Sequence, residues 1–163
     1  MIRYNKPEGS YISFMSNKVK EQGGINLAQG IPGFQPPSEL LGFLSYFAHK
    51  SIHQYAPGTG NYKLLNLLAQ KYSPFGNFKE KDFLITNGGT EAVSLLYTYF
   101  SKILQKPYAA LAFEPVYESY KQLPWIFNDD FIPFSLNRDN SVDFVKLKEI
   151  CIEANVKVIF LNT

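Results

Sequence analysis

The chain has few of the residues that build covalent or metal-held structures: one cysteine and two histidines among 163 residues. A single cysteine, Cys151, excludes a disulfide within the chain and suits a reducing compartment, so we expect a cytoplasmic protein. The histidines, His49 and His53, lie four residues apart, but no third ligand is evident. Since a metal centre needs three or four protein ligands, we expect no metal site.

Charge of one sign and long apolar runs are also scarce. Lysine and arginine number 16 against 14 acidic residues, and the resulting net charge of +2 is not clustered, so we expect no nucleic-acid surface. No run approaches membrane-spanning length, and the first residues lack the apolar stretch of a signal peptide, so we expect no membrane association. A hydrophobic content of 45% is typical of a globular protein.

Apolar periodicity predicts strands alternating with helices along the second half of the chain. The expected strands are Phe83–Thr86, Tyr108–Phe113, Phe131–Phe134 and Val156–Leu161, with a brief strand-like piece at Ile25. The expected helices are Ile12–Gln22, Ser38–Lys50, Tyr62–Tyr72, Glu91–Leu104, Val116–Gln122 and Asp143–Ala154. The expected apolar face of the helix from Glu91 consists of five residues: Ala92, Leu96, Tyr99, Phe100 and Ile103. This alternation indicates an α/β fold with a mostly parallel sheet covered by helices.

The segment FLITNGGTEAV places two glycines and a threonine where a strand is expected to give way to a helix. A helix N-terminus offers unpaired amide hydrogens and the positive end of the helix dipole, and glycine lets an anion approach the backbone. Gly88, Gly89 and Thr90 therefore suit a phosphate cradle. On these residues alone, an ordinary strand-to-helix turn with Thr90 as N-cap is the favoured explanation, because such turns are common in α/β proteins.

The segment LAFEPVYESY leaves the next expected strand at a Glu-Pro turn and presents Tyr117 at its carboxyl edge. In a parallel sheet this edge also carries the start of the Glu91 helix. An aromatic ring beside an anion cradle can stack on a flat heteroaromatic ligand. On this segment alone, ordinary packing of Tyr117 is the favoured explanation, since the chain has 25 Phe or Tyr residues (14 and 11).

Five segments, in this order, resemble the class I and II aminotransferases that use pyridoxal 5′-phosphate, and most of all their kynurenine and methionine aminotransferase branch. They are INLAQGIPGFQPP, HQYAPGTGNYKLLNLLA, FLITNGGTEAV, FEPVYESY and VIFLNT. The resemblance covers Ser10 to Thr163. It implies the fold-type-I architecture, with an N-terminal arm or small-domain segment over residues 1–30 and the first part of the large domain over residues 31–163. It also implies a homodimer that acts on an amino acid and a 2-oxo acid.

The resemblance assigns the cofactor-binding roles. It implies that Gly89, Thr90 and Glu91 bind the cofactor phosphate, Glu91 through its backbone N–H with its carboxylate turned away. Tyr117 matches the aromatic residue that stacks on the pyridine ring. Tyr55 matches a tyrosine that reaches the phosphate in the neighbouring subunit's site.

The same resemblance assigns the substrate pocket and leaves the catalytic residues unassigned. Gly30 matches the glycine beside the substrate carboxylate, and Ile31 is expected to line the same pocket. No segment resembles the family's cofactor-linking lysine motif, so we expect an N-terminal part of a longer enzyme, without catalytic residues and inactive alone. A carbon–sulfur lyase of the same fold, or a non-catalytic fragment derived from an aminotransferase, stays open.

Overall fold

The computed structural model describes residues 9–162. They form two compact units that divide between Ala56 and Pro57. The first unit contains α1 (Tyr11–Gln22) and α2 (Ser38–Ala48). The second contains α3 (Tyr62–Tyr72), α4 (Gly89–Ile103), β1 (Ala109–Glu114), α5 (Glu118–Ile126), β2 (Asp130–Ser135), α6 (Phe144–Glu153) and β3 (Val156–Phe160), with short 3₁₀ turns at Ser73–Phe75 and Glu80–Asp82. The sequence-based division at residues 30 and 31 stays a prediction.

The three strands form one parallel sheet in the order β2-β1-β3. Each strand is joined to the next by a helix, as parallel pairing requires, because the chain must return to the same end of the sheet. The central strand β1 is the most enclosed: Ala109, Ala110, Leu111 and Ala112 are buried. The expected α/β architecture with a parallel sheet and helices is therefore confirmed.

The core of the second unit joins α4, α5 and the sheet. Tyr97 of α4, Ala110 of β1 and Leu123 of α5 form the buried cluster, and Phe127 and Phe160 pack against it. Since these side chains come from four elements, the cluster fixes α4 and α5 against the strands.

A polar group lies at the opposite end of the strands from their carboxyl edge. The Tyr97 hydroxyl donates to the Asp129 carboxylate over 3.0 Å, and Lys106 Nζ lies 2.6 Å from the other carboxylate oxygen. The Asp129 side chain is only 1% exposed, whereas that of Lys106 is 43% exposed. Lys106 also donates to the Phe127 carbonyl over 2.6 Å. This pairing satisfies a carboxylate that burial would otherwise disfavour.

Two expectations about the strands were wrong. Phe83–Thr86 and the piece at Ile25 are not strands in the structure. Phe83 is extended, and the Ile85 amide donates to the Thr59 carbonyl over 3.0 Å, but no strand within residues 9–162 forms a ladder with this segment. An apolar β-prone run becomes a strand only where a neighbour accepts its hydrogen bonds.

The expected apolar face of α4 was wrong in part. Leu96, Tyr99 and Ile103 are each more than half exposed, whereas Ala92 and Phe100 are half-buried. The residue that α4 buries is Tyr97, which the predicted face did not include. The reason is that α4 carries apolar residues around most of its circumference, so periodicity alone does not select the packed side.

The predicted apolar face of α2, in the first unit, is also exposed. The described part of the chain buries none of the residues of α2. Leu40 and Leu44 of its predicted apolar side are 58% and 68% exposed.

Among residues 9–162, no helix combines the length and the apolarity needed to cross a bilayer.

We expect Tyr97→Phe to lower the free energy of unfolding by about 1.5–3 kcal/mol, because a hydrogen bond to a buried carboxylate is lost while the ring contacts remain. Tyr99→Phe on the same helix, where the ring is exposed, is the matched control and should change it by less than about 0.5 kcal/mol. Urea unfolding of both variants measures the difference. Equal effects of the two substitutions would show that the Tyr97–Asp129 bond contributes nothing.

We expect stability to fall steeply at alkaline pH. Burial raises the pKa of Tyr108 to about 12, and burial together with the Asp129 hydrogen bond raises the pKa of Tyr97. Between the unfolded tyrosine pKa near 10 and these folded values, the folded state retains protons that the unfolded state has lost. Each of the two groups should therefore lower the unfolding free energy by about 1.4 kcal/mol per pH unit.

Urea unfolding from pH 9 to 12 measures this slope, and Tyr108→Phe should remove one tyrosine's share of it. The Tyr108 hydroxyl is buried and has no hydrogen-bond partner among residues 9–162, so its removal should be tolerated at neutral pH. An unchanged slope in Tyr108→Phe would contradict the burial of this hydroxyl.

Candidate functional site

A cavity of about 270 Å³ lies in the second unit where α4 and α5 begin. Six residues line it: Gly89, Thr90, Val93, Tyr117, Ser119 and Tyr120. Since α5 follows β1 after a short turn, the cavity lies near the carboxyl edge of the parallel sheet. Ligands of open α/β sheets bind at this edge.

Gly89 and Thr90, in the first turn of α4, line this cavity. The N-cap is Gly88, with φ of 82°, a conformation that glycine adopts without the strain that a Cβ brings. Thr86 Oγ1 donates to the Gly88 carbonyl over 3.0 Å, which holds the turn. Because Gly88 supplies no side-chain acceptor, the leading amides of α4 have no capping partner. They form the positive end of the helix dipole.

The side chain of Glu91 is engaged at the backbone. The Asn87 amide donates to the Glu91 carboxylate, and Glu91 is not among the residues that line the cavity. A carboxylate held there leaves only the Glu91 backbone N–H for an anion at the helix start. The cofactor-binding role expected for the Glu91 backbone stays a prediction.

Helix α5 contributes a second uncapped N-terminus. Its N-cap is Tyr117, whose side chain makes no capping hydrogen bond, and Ser119 of its first turn lines the cavity. Two helices therefore begin at one cavity, each with the equivalent of about half a positive charge. None of the six lining residues carries a formal charge, but Glu91 and Glu118 lie in the first turns of the two helices. The backbone amides and helix dipoles are therefore the groups that can attract an anion here, against these two carboxylates.

Tyr117 belongs to a run of aromatic contacts that leads into the core. Its ring meets that of Tyr120 edge to face, with centroids 5.6 Å apart and planes at 73°. Tyr120 stacks on Phe160 at 4.7 Å and 6°, and Phe160 stacks on Tyr97 at 5.8 Å and 14°. Tyr117 itself is 45% exposed, so much of its surface is free to contact a ligand.

The structure brings together Gly89, Thr90 and Tyr117, three of the residues singled out from sequence. A fourth candidate, Glu91, lies on α4 next to Thr90 but does not line the cavity. The remaining candidates belong to the first unit: Gly30 and Ile31 lie in the loop between α1 and α2, and Tyr55 lies in the loop after α2. The side chains of Ile31 and Tyr55 are exposed, fully so for Tyr55.

Sequence reasoning missed three lining residues, Val93, Ser119 and Tyr120. A signal for two of them was present in YESY, because positions two and three residues after Tyr117 fall in the first turn of a helix that starts at the same edge. Val93 lies four residues after Gly89, so helix geometry places the two residues on the same face of α4.

The two histidines lie at the end of α2. His49 Nδ1 lies 2.9 Å from the Ser45 carbonyl oxygen, and His53 Nε2 lies 3.0 Å from that of Ala48. These contacts satisfy carbonyl groups that the helix end leaves without amide partners. Within residues 9–162, no group of three or more His, Cys, Asp or Glu side chains is arranged to hold a metal ion.

Comparison with known proteins gives concordant matches. The family model described as aminotransferase class I and II matches residues 22–163. A methionine aminotransferase from Escherichia coli (strain K12) is 32% identical over 109 residues, which are 65% of this chain and 28% of that protein. A probable kynurenine–oxoglutarate transaminase from Saccharomyces cerevisiae is 30% identical over 114 residues, 64% of this chain and 24% of that protein. The chain thus spans about a quarter of each relative.

Solved structures show the same fold. The crystal structure of an Escherichia coli protein identified as a methionine aminotransferase superposes with a TM-score of 0.78 at 23% identity, over 100% of this chain and 43% of that one. An N-succinyldiaminopimelate aminotransferase from Mycobacterium tuberculosis gives a TM-score of 0.79 at 20% identity, over 95% and 41%. At these identities the likeness shows the fold alone.

Proposed function

The chain belongs to the class I and II aminotransferases, and we propose that it is the part of such an enzyme that holds pyridoxal 5′-phosphate. The whole protein would move an amino group from an amino acid to a 2-oxo acid. The family implies the cofactor, and the relatives named methionine aminotransferase and kynurenine–oxoglutarate transaminase support the reaction class. The observation that carries the proposal is the cavity that joins the uncapped start of α4 to Tyr117.

The α4 side of the cavity fits a phosphate group. A Cβ built on Gly89 meets no atom within 4 Å, so the backbone there faces open space that an oxygen-rich anion can enter. We propose that the N–H groups of Gly89, Thr90 and Glu91, with the Thr90 hydroxyl, donate to the phosphate oxygens. One helix dipole contributes only about 0.3–1 kcal/mol at an exposed site, so several donors must act together.

The α5 side of the cavity fits a flat ring. Tyr117 presents an exposed aromatic surface there, and stacking on a heteroaromatic ring adds about 0.5–1.5 kcal/mol beyond area burial. When bound, the cofactor supplies an electron sink for bonds at the substrate α-carbon. The residues of this chain bind its phosphate and orient its ring, and we assign them no proton transfer.

The roles in the first unit are proposals that rest on the resemblance. We propose that Gly30 and Ile31 form part of the substrate pocket, where glycine leaves room for a carboxylate. We propose that Tyr55 contacts the phosphate of a partner subunit in a homodimer, a role that suits its fully exposed side chain. We also propose a cytoplasmic location, which the single cysteine favours.

We expect the 163-residue chain to show no transaminase activity by itself, because none of its lysines lies in a segment like the family's cofactor-linking motif. The measurement is formation of a new amino acid and 2-oxo acid from methionine or kynurenine with several 2-oxo acids. Turnover by the purified chain would contradict the proposal that its residues bind the cofactor without performing the chemistry.

We expect the chain to bind pyridoxamine 5′-phosphate weakly but specifically. This probe carries the ring and phosphate but no aldehyde, so it does not label surface lysines. Gly89→Ala should weaken binding about 10-fold or more, because its methyl group enters the space beside the amides and displaces one or more phosphate hydrogen bonds. Phosphorus NMR and equilibrium dialysis measure the change.

Two controls separate the cradle from general effects. Glu91→Gln keeps the backbone N–H and an oxygen that can accept from Asn87, so binding should change less than about threefold. Pyridoxamine without phosphate should bind far more weakly than the phosphorylated probe. Equal binding of the two probes, or unchanged binding in Gly89→Ala, would rule out the phosphate cradle.

A further inference from the structure

We propose that the stacked rings of Tyr97, Phe160 and Tyr120 set the orientation of the Tyr117 ring, and that Tyr120 is the positioning residue in contact with it. The inference rests on the proposed function for its consequence: the angle at which Tyr117 meets a bound cofactor ring. It extends that function to Tyr120, which lines the cavity beside Tyr117, and to Phe160 and Tyr97, which do not line it. The sequence analysis assigned none of the three a role at the site.

Aromatic contacts are what the structure offers to orient Tyr117. The Tyr117 hydroxyl makes no hydrogen bond with the part of the chain that the structure describes, and the residue stands outside α5 as its N-cap. Its ring contact is the edge-to-face meeting with Tyr120, at 5.6 Å and 73°. Ring pairs at this separation prefer defined relative angles, so the position of Tyr120 constrains Tyr117.

Tyr120 is in turn held by the sheet. Its ring lies 4.7 Å from that of Phe160 with planes only 6° apart, and Phe160 is the last residue of β3. The other ring partner of Phe160 is Tyr97, at 5.8 Å and 14°. Phe160 therefore joins a ring on α5 to a ring on α4, the two helices whose starts line the cavity.

The far end of the stack is fixed by polar contacts. The Tyr97 ring is 1% exposed, and its hydroxyl donates to Asp129, which Lys106 also binds. A side chain locked by both packing and a buried hydrogen bond has little rotational freedom. The stacked rings thus connect Tyr97, which is fixed in the core, to the half-exposed ring of Tyr117 at the cavity. Such an arrangement suits a role in orienting the Tyr117 ring.

A ligand-free experiment tests the orientation directly. Trp125, the only tryptophan, is exposed, so Trp125→Phe gives a background in which Tyr117→Trp is the sole reporter. We expect time-resolved anisotropy to show a restricted indole. Adding Tyr120→Leu should increase its rapid local motion, whereas Tyr120→Phe, which keeps the stack, should not. Equal indole motion in all three proteins would overturn the inference, whatever the chain binds.

A binding experiment tests the consequence. With pyridoxamine 5′-phosphate, Tyr120→Leu and Phe160→Leu should lose the circular dichroism induced in the ring and about 2- to 10-fold in affinity. The phosphorus chemical shift of the bound probe should stay as in the unsubstituted chain, because the α4 amides are untouched. Tyr120→Phe, which keeps an aromatic ring at this position, should retain the induced circular dichroism of the bound ring.

The outcomes separate the two proposals. If the unsubstituted chain binds no probe, the phosphate cradle fails, and the anisotropy arm still decides the role of Tyr120. If the probe binds and its ring signal survives in both leucine variants, the cradle stands and the positioning role is overturned. Thermal unfolding of each variant identifies any that does not fold, and the remaining leucine variant then carries the test.

Discussion

The amide hydrogens at the start of α4 are the feature on which the site depends. Gly88 turns the chain into the helix with a positive φ and offers no side-chain acceptor, and the next two residues, Gly89 and Thr90, line the cavity. We infer that their amide hydrogens are available to an anion there. In water they would be solvated, and an anion that replaces this water gains several hydrogen bonds at once. Such a site needs no charged side chain, and the cavity has none in its lining.

The two ends of the sheet differ in structure: the amino end carries a buried polar group and the carboxyl end carries the cavity. At the amino end, Tyr97, Asp129 and Lys106 form a closed polar group that ties α4 to the strands. At the carboxyl end, the starts of α4 and α5 remain open around the cavity. Tyr97 connects the two ends. Its hydroxyl belongs to the polar group, and its ring stacks on Phe160, which in turn stacks on Tyr120 of the cavity lining. Stability at one end and binding geometry at the other are thereby coupled.

Local signals in the sequence were sufficient for most elements. The helices and paired strands begin and end within two residues of their predicted limits, apart from the end of α5, which continues through Pro124. Gly89, Thr90 and Tyr117 were singled out because the segments that contain them resemble those of the aminotransferase family, and the structure brings these three residues to one cavity. Pairing was harder to predict: Phe83–Thr86 reads as a strand, yet the described residues provide it with no ladder. Contacts such as Tyr97 with Asp129 join residues far apart in sequence, which periodicity does not reveal.

The most direct test of the account is an amide-resolved NMR titration of the chain with pyridoxamine 5′-phosphate. If the α4 amides bind the phosphate and Tyr117 contacts the ring, the largest chemical-shift changes should fall on the backbone N–H groups of Gly89, Thr90 and Glu91. Ring-current shifts at Tyr117 should accompany them. Inorganic phosphate should reproduce the amide shifts without those at Tyr117. Largest shifts at other positions, with the α4 amides unmoved, would contradict the account.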